Sequence, residues 1–256
     1  MYSFTFSLMK NAKIENVRIK KRPYIFRGVF MNLLSKIDSS LVDSLHVPNK
    51  IRPYSIKLLY SENGIEFILN IFNQDLSEQI LLHILEMKEQ ELNIGGTDFI
   101  IKNIKLETKK ISNFIKNSYR IIKFEIQFKT PTYFQKKGSE MTIRFPSPLS
   151  IFTNLAHLWN QFATGDSHLD FTDFYDWVDK NIYLTSYKLK TQTIDIGKKS
   201  RPVGFIGWAK FVNLDPNNGF SNWIDALCRF GALTNLGGNR TAGCGMIEYS
   251  PIEFHV

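Results

Sequence analysis

The order in which apolar spacing changes along this chain constrains its fold more than any single residue does. Tyr2 to Lys10 alternate apolar and polar, with Tyr2, Phe4, Phe6 and Leu8 on one face, the spacing of a half-buried strand. Pro23 then opens a helical pattern to about Leu45, with Phe26, Val29, Phe30, Leu33, Leu34 and Ile37 on its buried side. The stretch Ser44 to Pro53 is broken by two prolines and reads as a loop. Tyr54 to Tyr60 and Ile65 to Phe72 read as a hairpin around Glu62-Asn63-Gly64. Ser77 caps a helix to about Leu92, and Thr97 to Thr108 supplies a fourth strand. Strand, helix, two strands, helix, strand is the β-α-β-β-α-β order of a ferredoxin-like unit.

After the polar stretch Lys109 to Asn113 the order comes round again. Tyr119 to Thr130 reads as a long strand. Ser147-Pro148 starts a helix carrying Ile151, Phe152, Leu155, Leu158, Trp159 and Phe162. Phe171 to Lys180 is a second helical piece. Ile182 to Ile196 and Val203 to Asn213 read as a strand pair, and Trp223, Leu227, Phe230 and Leu233 mark a helix from about Ser221. A last strand begins near Met246. The expected class is α+β, with two tandem ferredoxin-like domains at residues 1–111 and 116–256. No sequence repeat relates the halves.

Between the last helix and strand lies Gly231-Ala-Leu-Thr-Asn-Leu-Gly-Gly-Asn-Arg-Thr-Ala-Gly-Cys-Gly245. Gly237 and Gly238 can end the helix, because glycine enters left-handed backbone at no steric cost. The loop is expected to have little side-chain bulk, several free backbone N–H groups and one cation, Arg240. Such a loop can approach a phosphodiester and donate hydrogen bonds to it. A plain glycine turn is the simpler alternative.

The formal net charge of +8 favours a polyanionic partner, either nucleic acid or an acidic membrane surface. No basic amphipathic helix supports the membrane, and no apolar run is long enough to span one. The first residues do not read as a signal peptide, and Cys228 and Cys244 lack the paired spacing of a zinc site. A soluble, cytoplasmic protein is the expectation. The acidic run Asp166, Asp170, Asp173, Asp176, Asp179 places carboxylates opposite Phe171, Phe174 and Trp177, as a solvated helix face rather than a metal site. The loops contain no Walker-type phosphate cradle and no nucleophile elbow. Basic clusters stand at Lys20-Lys21-Arg22 with Arg27, at Lys136-Lys137, at Lys198-Lys199 with Arg201, and at Arg240. Cations on several loops can line one groove for a phosphate backbone.

Three segments carry a resemblance to a known family. They are Leu45-His46 with Lys50-Ile-Arg-Pro-Tyr-Ser55; Thr130-Pro-Thr-Tyr-Phe134 with Phe145 to Phe152 and Trp159 to Phe162; and Gly204-Phe-Ile-Gly-Trp208 with Arg240 to Met246. In this order they resemble the RAMP superfamily, and within it the CRISPR-associated endoribonucleases that cut repeat precursor RNA into guide RNAs. The resemblance implies metal-independent cleavage with no cofactor. A ribose 2′-hydroxyl attacks the adjacent phosphodiester, leaving a 2′,3′-cyclic phosphate and a 5′-hydroxyl. It implies catalytic roles for His46 and Lys50, with Tyr24 as the matching tyrosine. It implies RNA contacts from Arg22, Arg27, Arg52 and Arg201, and from the loop residues Gly237, Gly238, Asn239, Arg240, Gly243 and Gly245. The partners it implies are CRISPR repeat RNA and precursor crRNA, with effector-complex subunits and a second copy of the chain as further candidates. A non-catalytic crRNA-binding subunit of an effector complex is the alternative.

Imidazole can give or take a proton near neutral pH, and a lysine can stabilise the extra negative charge on a pentacoordinate phosphorus. His46 beside Lys50 and Arg52 therefore suits the chemistry, although a surface histidine near a turn would look the same. His157, between Ala156 and Leu158, is the second candidate. His83 lies in an apolar run, His168 in a polar loop and His255 at the end.

Overall fold

A computed structural model describes residues 1–10, 23–47, 50–61, 64–86, 91–94, 96–136, 138–139, 141–163, 168–193, 195 and 201–255. The chain divides into two compact units: Met1–Lys109 with Asp195 and Thr241–Gly243 in the first, and residues 110–193, 201–240 and 244–255 in the second.

In the first unit, alternation turns into burial. β1 (Tyr2–Lys10) puts Phe4, Phe6 and Leu8 into the core, each at most 2% exposed. The helical pattern after Pro23 is two helices, α1 (Pro23–Ile37) and α2 (Ser39–His46), where one was expected. The break is Asp38. Its backbone is extended (φ −160°, ψ 122°), and its carboxylate accepts the Ser40 N–H at 2.8 Å, so it caps a new helix. β2 (Tyr54–Ser61) and β3 (Gly64–Ile71) pair antiparallel. The expected turn residues Glu62 and Asn63 lie outside the described residues. α3 (Gln74–Glu86) is capped by Asn73, whose side chain accepts the Leu76 N–H at 2.8 Å. The expected cap, Ser77, is buried inside the helix and donates its hydroxyl to the Asn73 carbonyl. β4 (Glu91–Ile94) forms where the helix was expected to end, and pairs with β5 (Thr97–Thr108). The sheet order is β2-β3-β1-β5-β4. Phe26 and Phe30 of α1 lie 5.4 Å from Phe67 and 4.7 Å from Tyr54, ring centre to ring centre.

In the second unit a short helix, α4 (Ser112–Lys116), precedes β6 (Arg120–Thr132). A small pair follows, β7 (Phe134–Gln135) with β8 (Thr142–Ile143). α5 (Pro148–Phe162) is capped by Ser147, as expected. α6 (Phe171–Asn181) buries Phe174, Trp177 and Val178 and exposes Asp173, Asp176 and Asp179, while Asp170 caps it. β9 (Ile182–Thr193), β10 (Val203–Asn213), α7 (Phe220–Thr234) and β11 (Ile247–His255) complete the unit. The sheet order is β11-β6-β10-β9. In both sheets the first strand therefore lies between the third and fourth long strands, and the second pairs only with the third.

Rings fill the second core. Trp159 is fully buried, with Trp223 at 5.4 Å and Phe230 at 5.2 Å. Cys228 and Cys244 are free thiols in this interior; burial pushes Cys244 up to about 12, which keeps it protonated. On the sheet face away from the core, lysines and glutamates pair across strands: Lys129 with Glu248 (3.1 Å), Lys210 with Glu125 (3.6 Å) and Lys123 with Glu253. No helix among the described residues is long and apolar enough to cross a membrane.

One buried carboxylate ties four elements. Asp225 of α7 is fully buried, ion-paired to Arg229 at 3.0 Å. It accepts the Tyr249 hydroxyl of β11 at 2.9 Å and the Tyr119 N–H before β6 at 3.1 Å. Arg229 also donates to the carbonyls of Phe114 and Asn117, at 2.7 Å each. Removing one side of a buried ion pair strands the other charge. Asp225→Ala is expected to cost about 3 kcal/mol, read as a lower urea midpoint at unchanged m-value.

Candidate functional site

α2 ends on His46, because the chain leaves helical backbone at Val47. Leu45, 7% exposed, anchors that last turn in the core. Its carbonyl accepts a hydrogen bond from Arg52 Nε at 2.8 Å, so the chain folds back beside the helix end within seven residues. Two residues later, Tyr54 opens β2 fully buried. Burial pushes the Tyr54 phenol upward, and the charges of Arg27 and Arg52 oppose the shift. Arg27 stands on α1 one turn beyond Tyr24, which puts both on one face of that helix.

The fold thus ties Arg52 to the end of α2 and packs the ring of Tyr54 on Phe30 of α1. Lys50 is exposed, between α2 and β2. Arg22, with Lys20 and Lys21, lies outside the described residues. Tyr54 itself was not expected at a site. In the sequence it stood at the start of an alternating strand and within the Lys50-to-Ser55 segment that carries the resemblance.

The glycine-rich loop differs from its expectation. The helix ends at Asn235 (φ 60°, ψ 167°), not at Gly237. The loop N–H groups are largely committed within the protein. Leu236 donates to Gly245, Gly238 to Tyr133 and Gly245 to Pro131, at 2.8, 2.9 and 3.1 Å. Gly237 donates to the Asn154 side chain and Met246 to the Thr130 hydroxyl, at 2.9 and 2.8 Å. The glycines serve close approach. A Cβ at Gly237 would stand 2.2 Å from the Tyr133 carbonyl oxygen, at Gly238 2.4 Å from the Tyr133 ring, and at Gly245 1.7 Å from the Leu236 carbonyl oxygen.

Arg240, expected to contact RNA, is turned into the protein. It is 7% exposed, donates Nη1 to the Thr234 carbonyl at 3.1 Å, and holds its guanidinium 6.0 Å over Phe162. Asn235 Nδ2 returns a bond to the Arg240 carbonyl at 3.0 Å. The loop's one cation is therefore part of its internal bracing. Gly243 and Gly245 are buried too, while Gly237, Gly238 and Asn239 stay partly exposed. The Asn239 amide is steered by the Tyr133 hydroxyl at 2.7 Å.

Arg201 is exposed just before β10. His157 is exposed on α5, its ring 4.8 Å from Phe171, in the unit that does not contain His46. His168 lies 3.2 Å from the Ala163 carbonyl. Among the described residues no group of three or more His, Cys, Asp or Glu could hold a metal ion.

Comparison with known proteins follows the same lines. The family described as "CRISPR-associated endoribonuclease Cas6" matches residues 126–247. A protein of that description from Streptococcus thermophilus is 23% identical over 219 residues, covering 84% of this chain and 87% of the relative. One from Mycobacterium tuberculosis is 24% identical over 255 residues, covering 97% of this chain and 78% of the relative. A solved Cas6 product complex shares the fold at a TM-score of 0.77 and 16% identity, covering 98% of this chain and 100% of the other.

The loop analysis carries its own check. Gly237→Ala places a methyl group against the Tyr133 carbonyl at φ +76°, and is expected to cost about 2 kcal/mol or more. A thermal melt measures the loss; a change within experimental error would mean that the loop is not held as described.

Proposed function

We infer that this chain, a member of the Cas6 family of CRISPR-associated endoribonucleases, binds CRISPR repeat RNA and cuts the precursor within the repeat. The observation that carries the reading is the return of Arg52 onto the carbonyl of Leu45, the residue before His46. It sets a cation beside the end of the helix that bears the leading acid–base candidate.

The proposed chemistry needs one nucleophile, and the RNA brings it. The ribose 2′-oxygen attacks phosphorus and loses its proton to a base. The 5′-oxygen leaves and takes up a proton. The products are a 2′,3′-cyclic phosphate and a 5′-hydroxyl end. His46 serves as the acid or the base, a contribution typically worth about 10²–10⁴-fold. Lys50, Arg27 and Arg52 oppose the charge that develops on the phosphoryl oxygens. Tyr24 stands on the same helix face as Arg27, within the same group. Because the nucleophile is internal and the charge stabilisers are cationic side chains, the reaction runs without a metal.

Both halves, 1–111 and 116–256, are read as ferredoxin-like domains; the shared strand permutation of the two sheets supports this. Gly237, Gly238 and Asn239 form the part of the loop offered to the RNA, and Arg240, Gly243 and Gly245 keep its shape. Arg22 and Arg201 extend the cationic path along the phosphates. A cytoplasmic location suits a protein that meets newly made RNA, and effector subunits or a second copy of the chain are its proposed further partners.

Cleavage of a repeat-containing RNA tests the reading. The rate is expected to be the same in excess EDTA, to fall more than about 100-fold in His46→Ala, and to yield cyclic-phosphate ends. An unchanged rate in His46→Ala removes that residue from the mechanism. RNA binding without any product favours the non-catalytic subunit. Arg240→Lys separates bracing from phosphate contact. It is expected to lose about 1–2 kcal/mol of stability while the slope of log Kd against log salt stays as in the wild type.

A further inference from the structure

We propose that the tip of the glycine-rich loop reads a hydrogen-bond donor on the repeat RNA through the side-chain oxygen of Asn239, and that Tyr133 is the positioning residue that aims it. The donor is a base amino group or a ribose 2′-hydroxyl, not a phosphate. This rests on the RNA-binding reading given above and deepens it, by naming what the loop tip recognises.

Three observations carry it. The first is where the loop's own donors go. The N–H groups of Leu236, Gly237, Gly238, Cys244, Gly245 and Met246 are each bonded within the protein, and Arg240 gives Nη1 to the Thr234 carbonyl. A phosphate oxygen only accepts, so the donors it would need are largely taken. The second is the setting of Asn239. Its backbone is left-handed (φ 52°), a conformation asparagine tolerates better than most residues. It stays partly exposed, and its Nδ2 donates to the Tyr133 hydroxyl at 2.7 Å. Among the described residues nothing donates to its Oδ1. The third is how Tyr133 is held. It is 6% exposed and its carbonyl accepts the Gly238 N–H at 2.9 Å. A Cβ at Gly238 would stand 2.6 Å from its hydroxyl, so the loop lies directly on the ring.

The consequence is an orientation. A carboxamide has a donor end and an acceptor end. With the nitrogen turned to a buried phenol, the oxygen is the end left for a ligand. A phosphodiester arriving there would set acceptor against acceptor. A base amino group or a 2′-hydroxyl can donate to it, and such groups are what proteins read on unpaired RNA. Burial pushes the Tyr133 phenol up to about 12, so the hydroxyl stays neutral and sets no negative charge beside the RNA. Contacts to phosphate fix register, whereas contacts of this kind carry sequence or sugar identity.

Binding of an uncleavable repeat, with a 2′-deoxy sugar at the scissile position, tests the proposal. A panel of such RNAs deletes one donor at a time: purine riboside for adenosine, inosine for guanosine, 2-pyrimidinone riboside for cytidine, or a 2′-deoxy sugar elsewhere. One of these replacements is expected to weaken wild-type binding about fivefold and to weaken Asn239→Gly by less than about twofold. Glycine is the chosen substitution because it keeps the left-handed backbone while removing the carboxamide. Tyr133→Phe keeps the ring beneath Gly238 and deletes only the hydroxyl. It is expected to bind the unmodified repeat about threefold more weakly and to lose most of the response to the same replacement. A sensitive base identifies an amino donor, and a sensitive sugar identifies the hydroxyl. A loop that was merely loosened would weaken every RNA alike and leave each response in place. If every replacement felt by the wild type is felt equally by Asn239→Gly, the proposal is overturned. A full response in Tyr133→Phe overturns the positioning role. If the wild-type protein binds no repeat RNA, the RNA-binding reading itself has failed, and this inference falls with it. The readout is binding, so it does not depend on whether His46 takes part in cleavage.

Discussion

The second unit depends on a close approach of two backbones. The end of β6 and the return after α7 are stitched together where side chains would not fit. Gly238 donates to Tyr133 and Gly245 to Pro131, Met246 donates to the Thr130 hydroxyl, and Lys129 donates back to Met246 at 2.8 Å. Glycine is needed because the facing atoms are carbonyl oxygens and a ring. This seam delivers β11 to its place beside β6, and with it the sheet. The loop's other contacts follow from it. Asn154 and Tyr133 hold the tip, while Arg240 and Asn235 clasp the base.

In the first unit the organising contact is smaller. A guanidinium and a carbonyl at 2.8 Å turn a proline-broken stretch into a defined return. It ties Arg52 to Leu45, seven positions earlier in the chain, whose side chain is anchored in the core. With it, the end of α2 and the start of β2 become a single corner. For the catalytic role proposed for this corner, that matters because groups on unconstrained chain must be ordered anew at each turnover.

What could be read in advance follows from how far each signal reaches. Strand and helix patterns were legible because one-sided burial imprints itself on neighbouring residues; Phe4, Phe6 and Leu8 show it, and Val203–Asn213 kept its expected limits. The break at Asp38 was hidden, because apolar spacing continues across it and only backbone geometry reveals the cap. The glycine-rich stretch was visible as such, but its purpose was not. Glycine admits a ligand and a neighbouring backbone equally, and the neighbours here, Pro131 and Tyr133, lie about a hundred positions away in the chain. The setting of Arg240 was hidden for the same reason, since a cation in a polar loop gives no sign of an aromatic neighbour such as Phe162.

The cross-strand pairs on the outer face of the second sheet bear on how this protein meets a polyanion. Lys123, Lys129 and Lys210 each face a glutamate from the adjoining strand. Seen from several ångströms away, each couple is a dipole whose field dies quickly in salt water. The formal +8 is thus unevenly distributed, and this wall contributes little to long-range attraction. For the RNA partner proposed above, the uncompensated remainder would set the approach, so mutual orientation would begin to be selected during diffusion.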